Sequence, residues 1–151
     1  MAVTGVQTCA LPISRIPVSS RNPLIDEILG NKPRIIALNK SDLADAEASK
    51  GWKERFQEQG FRTVIMNANS GSGIRQLLQI LESMERAKHE NGTVKRPFRL
   101  MIVGVPNVGK SSLINRMTGR KSAKTGDKPG VTKGKQWIKL SNGMQDRKSV
   151  V

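Results

Sequence analysis

The sequence predicts an α/β domain, a mostly parallel sheet flanked by helices. Three observations carry this. Strands are expected at Arg34–Leu38, a short continuous apolar run of the kind buried in parallel sheets, at Phe61–Met66 and at Phe98–Val103, the last carrying the apolar run Leu100–Val103. Segments with apolar residues at i, i+3, i+4 and i+7 alternate with them, as at Ile74, Leu77, Leu78 and Leu81. The run Leu100–Val103 opens into G-V-P-N-V-G-K-S-S (Gly104 to Ser112), followed by the amphipathic stretch Leu113 to Met117. Strand, tight loop and helix in that order are the setting that a G-x-x-x-x-G-K-[ST] phosphate-binding loop requires.

Gly104 and Gly109 let the backbone curl so that its N–H groups point inward at phosphate oxygens. The helix starting near Lys110 adds its positive N-terminal end. Lys110 reaches the outer phosphates as a point charge and is a candidate catalytic residue; the Ser111 hydroxyl is a candidate Mg²⁺ ligand. Asn107, Val108, Gly109 and Ser112 complete the candidate nucleotide-binding set on this loop.

The 151 residues fit one domain with a real core, and no apolar run approaches a membrane span. A formal charge of +14 favours a polyanionic partner, RNA above all, although a solvated basic surface gives the same count. Aromatics are few (Trp52, Trp137 and three Phe), which argues against base-stacking platforms. One cysteine, Cys9, forms no internal disulfide and suits a reducing cytosol.

In chain order, Arg15 to Pro23 is loop material rich in proline and polar residues. Leu24, Ile25, Ile28 and Leu29 have the spacing of a short helix burying one face, ended by Gly30-Asn31-Lys32-Pro33. The strand Arg34–Leu38 runs into Asn39-Lys40-Ser41-Asp42. An N-K-x-D at a strand's carboxyl end resembles the guanine-recognition element of GTPases. The Asp42 carboxylate can accept two N–H bonds from guanine N1 and its exocyclic amine, a donor pair adenine lacks. Such a site rejects the wrong base by roughly 10⁴ or more. Asn39 would hold phosphate loop and base edge together, and the Lys40 stem would cover the base. Ala48 to Gln59 reads as a helix with Trp52 and Phe56 on one side, capped by Gly60. After the strand Phe61–Met66 comes Asn67-Ala68-Asn69-Ser70-Gly71-Ser72-Gly73. Asn67 and Ala68 are candidate nucleotide contacts through backbone N–H groups facing the guanine carbonyl, or the stretch is a plain loop and N-cap. A helix then runs from Ile74 to about Glu90, and Asn91 to Pro97 is a linker.

Beyond the phosphate loop, Gly119 to Lys135 is polar, basic and glycine-rich. Its lysines touch RNA phosphates or are merely solvated. Thr132 is placed to ligate Mg²⁺ when a γ-phosphate is present, on a loop of the kind that orders with triphosphate. Gln136 to Leu140 alternates as a half-buried strand, and Ser141-Asn142-Gly143 is a hairpin turn, after which no partner strand is expected.

The order of these motifs is unusual, because N-K-x-D precedes the phosphate loop. Permutation preserves a sheet when termini move to another surface loop. On R-I-P-V-S-S-R-N-P (Arg15 to Pro23), N-K-S-D, G-V-P-N-V-G-K-S-S and T-G-D-K-P-G-V-T (Thr125 to Thr132), the chain resembles the circularly permuted GTPases of ribosome assembly, of the ribosome biogenesis GTPase A type. The resemblance covers Arg15 to Gln145. It implies a P-loop GTPase domain that binds GTP or GDP with Mg²⁺, hydrolyses GTP, and acts in the cytoplasm, as a monomer, on the large ribosomal subunit precursor and its ribosomal RNA. It also implies K⁺ stimulation, with Asn107 near the K⁺ site. The family's D-x-P-G motif is not found, and its strand before Arg15 and its C-terminal RNA-binding helical domain are expected to be missing. The domain is therefore expected to be incomplete, and the chain to bind nucleotide poorly and turn it over little. The rival class is a non-enzymatic RNA-binding module with a vestigial pocket; a generic ATP-using P-loop protein is disfavoured by Asn39 to Asp42.

Residues 1–14 and 146–151 read as tails foreign to the domain at 15–145. GCT-CTT-CCG-ATC encodes Ala10 to Ile13, GAT-CGG-AAG-AGC encodes Asp146 to Ser149, and the two strings are reverse complements that match sequencing-library adapters. On that expectation no strand forms at either end and Cys9 carries no structural information.

Overall fold

The structure, a computed structural model, describes residues 6–21, 23–90, 99–105, 108–118, 137–139 and 148–150. Six strands form one sheet: β1 (Val6–Ala10), β2 (Arg34–Leu38), β3 (Arg62–Ile65), β4 (Arg99–Val103), β5 (Trp137–Lys139) and β6 (Lys148–Val150), in the order β3-β2-β1-β4-β6-β5. All neighbours pair in parallel except β5 with β6. The helices are α1 (Pro23–Leu29), α2 (Ala46–Glu58), α3 (Ile74–Glu90) and α4 (Lys110–Thr118).

Period-two alternation along β2 divides the core between the two sheet faces. Ile35 and Ala37 point into one cluster with Val64, Met66, Leu77, Leu81, Ile102, Leu113 and Met117, which brings α3 and α4 onto that face. Ile36 and Leu38 point the other way, against Phe56 and the half-buried Trp52 of α2. Asp45 caps α2, its carboxylate accepting the Ala48 N–H at 2.8 Å, so the helix starts two residues before the first residue of the expected span. Gly60 follows at φ 85°, the left-handed stop expected of it.

Two expectations about the chain ends are corrected. Val6–Ala10 is a central strand, paired with β2 through Thr8↔Arg34 and with β4 along its whole length. Cys9 is fully buried in the main core, and burial pushes its thiol pKa up to about 12. Lys148–Val150 is the antiparallel partner of β5, with Trp137 opposite Val150, where no partner was expected. A strand flanked by others on both sides needs no polar alternation, and V-Q-T-C-A offers β-compatible, compact side chains. The apolar face of α1 is a third correction. Leu29 is buried and Ile25 half-buried, but Leu24 and Ile28 are 57% and 66% exposed.

The stretch read only as loop before α1 is internally bonded. Ser20 Oγ accepts the Ile13 N–H at 2.8 Å and donates to the Ile16 carbonyl at 2.7 Å. Arg21 makes a two-oxygen pair with Asp26 (2.7 and 2.9 Å) and lies over the Phe56 ring; Arg34 joins the same carboxylate at 2.8 Å. These contacts dock α1 beside the β1 end and leave an outer face that the described residues do not cover.

Candidate functional site

The loops after β1, β2, β3 and β4 emerge at the carboxyl ends of parallel strands, and the chain's direction of travel across the sheet reverses between β1 and β4. Ligand crevices in open α/β sheets form at such points. Asn39, the residue after β2, is 2% exposed and organises the crevice. Its Nδ2 donates to the Val108 carbonyl at 2.5 Å, across 69 residues of chain. Its Oδ1 accepts the Ala68 N–H at 3.0 Å. Its backbone N–H donates to the Pro12 carbonyl and its carbonyl accepts from the Ser14 N–H. One buried amide therefore joins the N-K-S-D turn, the Asn67–Gly73 loop and the phosphate loop.

Lys40 adopts the left-handed conformation (φ 55°), which turns the chain from β2 into a short 3₁₀ turn at Ser41–Leu43. Lys40 is half-buried and Asp42 exposed at this turn. The Ser41 N–H donates to the Met66 carbonyl at 3.2 Å, tying the turn to the end of β3.

The Asn67–Gly73 loop is built around Asn67. Its Oδ1 accepts the Asn69 and Ser70 N–H groups, and its carbonyl accepts the Gly71 N–H at 2.8 Å. The Asn67 side chain is thus occupied in shaping its own loop. Gly73 (φ 79°) is required there: a Cβ would sit 2.3 Å from the Ile65 carbonyl oxygen. Arg116 of α4 grips the same loop, its Nε donating to the Ala68 carbonyl at 3.2 Å and its Nη2 to the Asn69 carbonyl. Arg116 was not singled out in the sequence; its position on the helix that follows the phosphate loop was the only available signal.

At the phosphate end, Gly109 adopts φ 100° immediately before α4, and a Cβ there would lie 2.3 Å from Asn39 Nδ2. Gly104 is equally confined, its Cβ position being 2.7 Å from the Val108 side chain. Lys110 Nζ donates to the Gly104 and Val105 carbonyls, each at 2.9 Å, so the ammonium closes the mouth of the loop. Desolvation by burial lowers the Lys110 pKa. Ser111 and Ser112 lie half-buried in the first turn of α4 and Val108 is fully buried. Asn107 and Thr132, expected near K⁺ and Mg²⁺, lie outside the described residues.

A glycine-turned loop, a lysine already curled over it and a helix N-terminus fit a nucleotide's phosphates, and a serine beside that lysine fits a hard cation shared with them. No group of three or more His, Cys, Asp or Glu that could hold a metal occurs among the described residues, and a cation held mainly by phosphate oxygens needs none.

Comparison with known proteins agrees with this geometry. Residues 99–150 match the family model described as 50S ribosome-binding GTPase. "Ribosome biogenesis GTPase A" of Bacillus licheniformis is 46% identical over 136 residues, covering 87% of this chain and 48% of that protein. Among solved structures, GNP-bound YlqF from T. maritima superposes with a TM-score of 0.65 at 30% identity, covering 95% of this chain and 50% of that one. Its GDP-bound form gives 0.65 at 29%, covering 95% and 51%. The chain spans about half the length of the relatives it matches. With N-K-S-D ahead of the phosphate loop and both meeting at Asn39, the chain has an α/β P-loop fold of permuted motif order, and over 87% of its length it is similar to about half of a protein named Ribosome biogenesis GTPase A.

Proposed function

We propose that this chain is the guanine-nucleotide-binding core of a GTP-hydrolysing assembly factor for the large ribosomal subunit. The observation that supports the reading is the pair of hydrogen bonds made by the Asn39 side chain, donated to the Val108 carbonyl and accepted from the Ala68 N–H, which ties the N-K-S-D turn and the Asn67–Gly73 loop to the phosphate loop. Asp42 selects guanine by accepting its N1–H and exocyclic amine protons. Lys40 covers the base, and Ala68 lies at its carbonyl edge. Lys110 leaves the Gly104 and Val105 carbonyls for the β- and γ-phosphate oxygens, and the amides around Gly109 and the first turn of α4 add donors. Ser111 and Thr132 are the Mg²⁺ ligands in this proposal, and Asn107 the residue nearest K⁺; bound Mg²⁺ supplies charge neutralisation at the phosphates. Water adds to the γ-phosphorus, the bond to the β–γ bridging oxygen breaks, and GDP and phosphate leave.

The names of the relatives support a ribosomal partner, and the +14 charge supports contact with its RNA. No helix among the described residues is long and apolar enough to cross a membrane; a cytoplasmic, monomeric factor is part of the proposal. So is the adapter origin of the residues outside 15–145, two stretches of which nonetheless lie in the sheet as Val6–Ala10 and Lys148–Val150; synonymous codons differing from the adapter strings would overturn that part. The functional test is GTP against ATP affinity for the chain and for Asp42→Ala. A guanine preference that collapses in the variant supports the reading. Equal affinity for both nucleotides in the unaltered chain would leave a basic RNA-binding module instead.

A further inference from the structure

Arg116 holds a place that the nucleotide-binding motifs leave unexplained. It lies on α4, the helix whose first turn carries Lys110 and Ser111, yet its guanidinium reaches away from the phosphates to the loop after β3. Nε donates to the Ala68 carbonyl at 3.2 Å and Nη2 donates to the next carbonyl, that of Asn69. Gly71 (φ 90°) packs against the same group, its Cβ position 3.6 Å from Arg116 Cζ. A planar fork suits two successive carbonyls better than a lysine's point charge does. Ala68 is held from the opposite side as well, because its N–H donates to Asn39 Oδ1. The base-side loop is therefore clamped between β2, through Asn39, and the phosphate-binding helix, through Arg116.

We propose that Arg116 is a positioning residue for guanine selectivity, fixing the base-side loop to the helix that carries the phosphate contacts. The inference rests on the guanine-nucleotide reading above. Arg116 acts through the Ala68 and Asn69 carbonyls it holds, and so sets the distance between the two ends of the cleft. A phosphate group alone does not sense that distance, whereas a nucleotide held at both ends does. The guanidinium is exposed and its bonds are to neutral carbonyls, so its effect is modest.

The test is competition binding of GDP and ADP to the chain, to Arg116→Ala and to Arg116→Lys, with amide hydrogen exchange over residues 67–73 in the absence of nucleotide. Arg116→Ala is expected to weaken GDP about fivefold while ADP changes by less than about twofold, so guanine selectivity narrows. Arg116→Lys keeps one donor and restores part of the loss. Exchange in the loop rises in Arg116→Ala, because two carbonyl anchors are gone. Equal weakening of GDP and ADP would show mere damage to the phosphate loop and overturn the proposal. Unchanged GDP binding in Arg116→Ala, beside an unaltered chain that prefers GDP, would overturn it too. An unaltered chain with no preference for GDP removes the reading beneath, and this inference with it.

Discussion

The two ends of the cleft are held in different ways. At the base end, Asn39 and Arg116 bond the N-K-S-D turn and the Asn67–Gly73 loop to their neighbours, and Asn67 shapes its own loop. At the phosphate end, the Lys110 bonds among the described residues are to the Gly104 and Val105 carbonyls of its own loop, and those bonds must break for it to reach phosphate. The base end is therefore set by folding, whereas on the proposed reading the phosphate end is completed by a nucleotide. Substitutions at the first should cost stability and affinity together. Substitutions at the second should cost affinity alone.

Gly109 is where the two ends touch, so its substitution has the largest expected effect. In Gly109→Ala the new methyl would occupy the space of Asn39 Nδ2, at a φ of 100° that alanine resists. Asn39 must withdraw, leaving the Val108 carbonyl without its donor. Destabilisation of about 3 kcal/mol or more is expected in urea unfolding, with nucleotide binding lost. A stable variant that still binds GDP would deny the contact.

Asn39→Ala follows in size. It strands a buried carbonyl at Val108 and a buried N–H at Ala68. Unfolding free energy should fall by about 2–3 kcal/mol without ligand, and GDP affinity should fall with it. If stability held and only affinity dropped, the base end would not be preorganised and the contrast between the two ends would fail.

Lys110→Met separates affinity from stability. GDP binding should weaken about 10- to 100-fold, as expected for loss of a charged donor. Melting of the nucleotide-free chain should be unchanged or slightly raised, because a desolvated ammonium is replaced by an apolar side chain of similar length. The pH dependence carries a definite sign. The folded pKa lies below the ordinary 10.5, so in the window between them the unfolded chain binds more protons and stability rises with pH. In the same window Lys110 loses its charge, so GDP affinity falls as pH rises. Calorimetric titrations of the chain and Lys110→Met at rising alkaline pH measure this, and the variant should lose the part that belongs to Lys110.

The same contrast explains what the sequence disclosed. The phosphate end was legible because its chemistry is local: Gly104, Gly109, Lys110 and Ser111 lie within one short segment whose spacing is the signal. The helices were legible from periodicity, and α3 occupies Ile74–Glu90 as its spacing implied. The base end was half legible. Asn39 and Asp42 announced themselves, but Asn67's use as a loop former and Arg116's reach depend on which strands become neighbours. Strands β1 and β6 were missed for a related reason. A short strand between two partners draws its stability from their ladders, and its own residues need show no pattern. The exposed Leu24 and Ile28 are the reverse case, a helical apolar face that the described residues do not cover.

Asp45→Ala gives the smallest effect and checks the contrast from outside the cleft. Asp45 follows the N-K-S-D turn closely in sequence, yet its carboxylate caps α2 through the Ala48 N–H at 2.8 Å, and its carbonyl accepts from the Ser49 N–H and hydroxyl. The variant loses the side-chain cap and keeps both carbonyl bonds, so about 1 kcal/mol of stability is expected to go. Helix α2 packs on the sheet face opposite α3 and α4, through Phe56 and Trp52, and among the described residues it shares no hydrogen bond with Asn39, Ala68 or Val108. GDP affinity should therefore stay within about twofold of the unaltered chain, the level expected when sites do not share partners. Asn39→Ala and Asp45→Ala both lower stability, but only the first removes a bond between the cleft's two ends. A loss of GDP affinity in Asp45→Ala comparable to that in Asn39→Ala would mean that binding follows global stability, and the base end would have no special part in it.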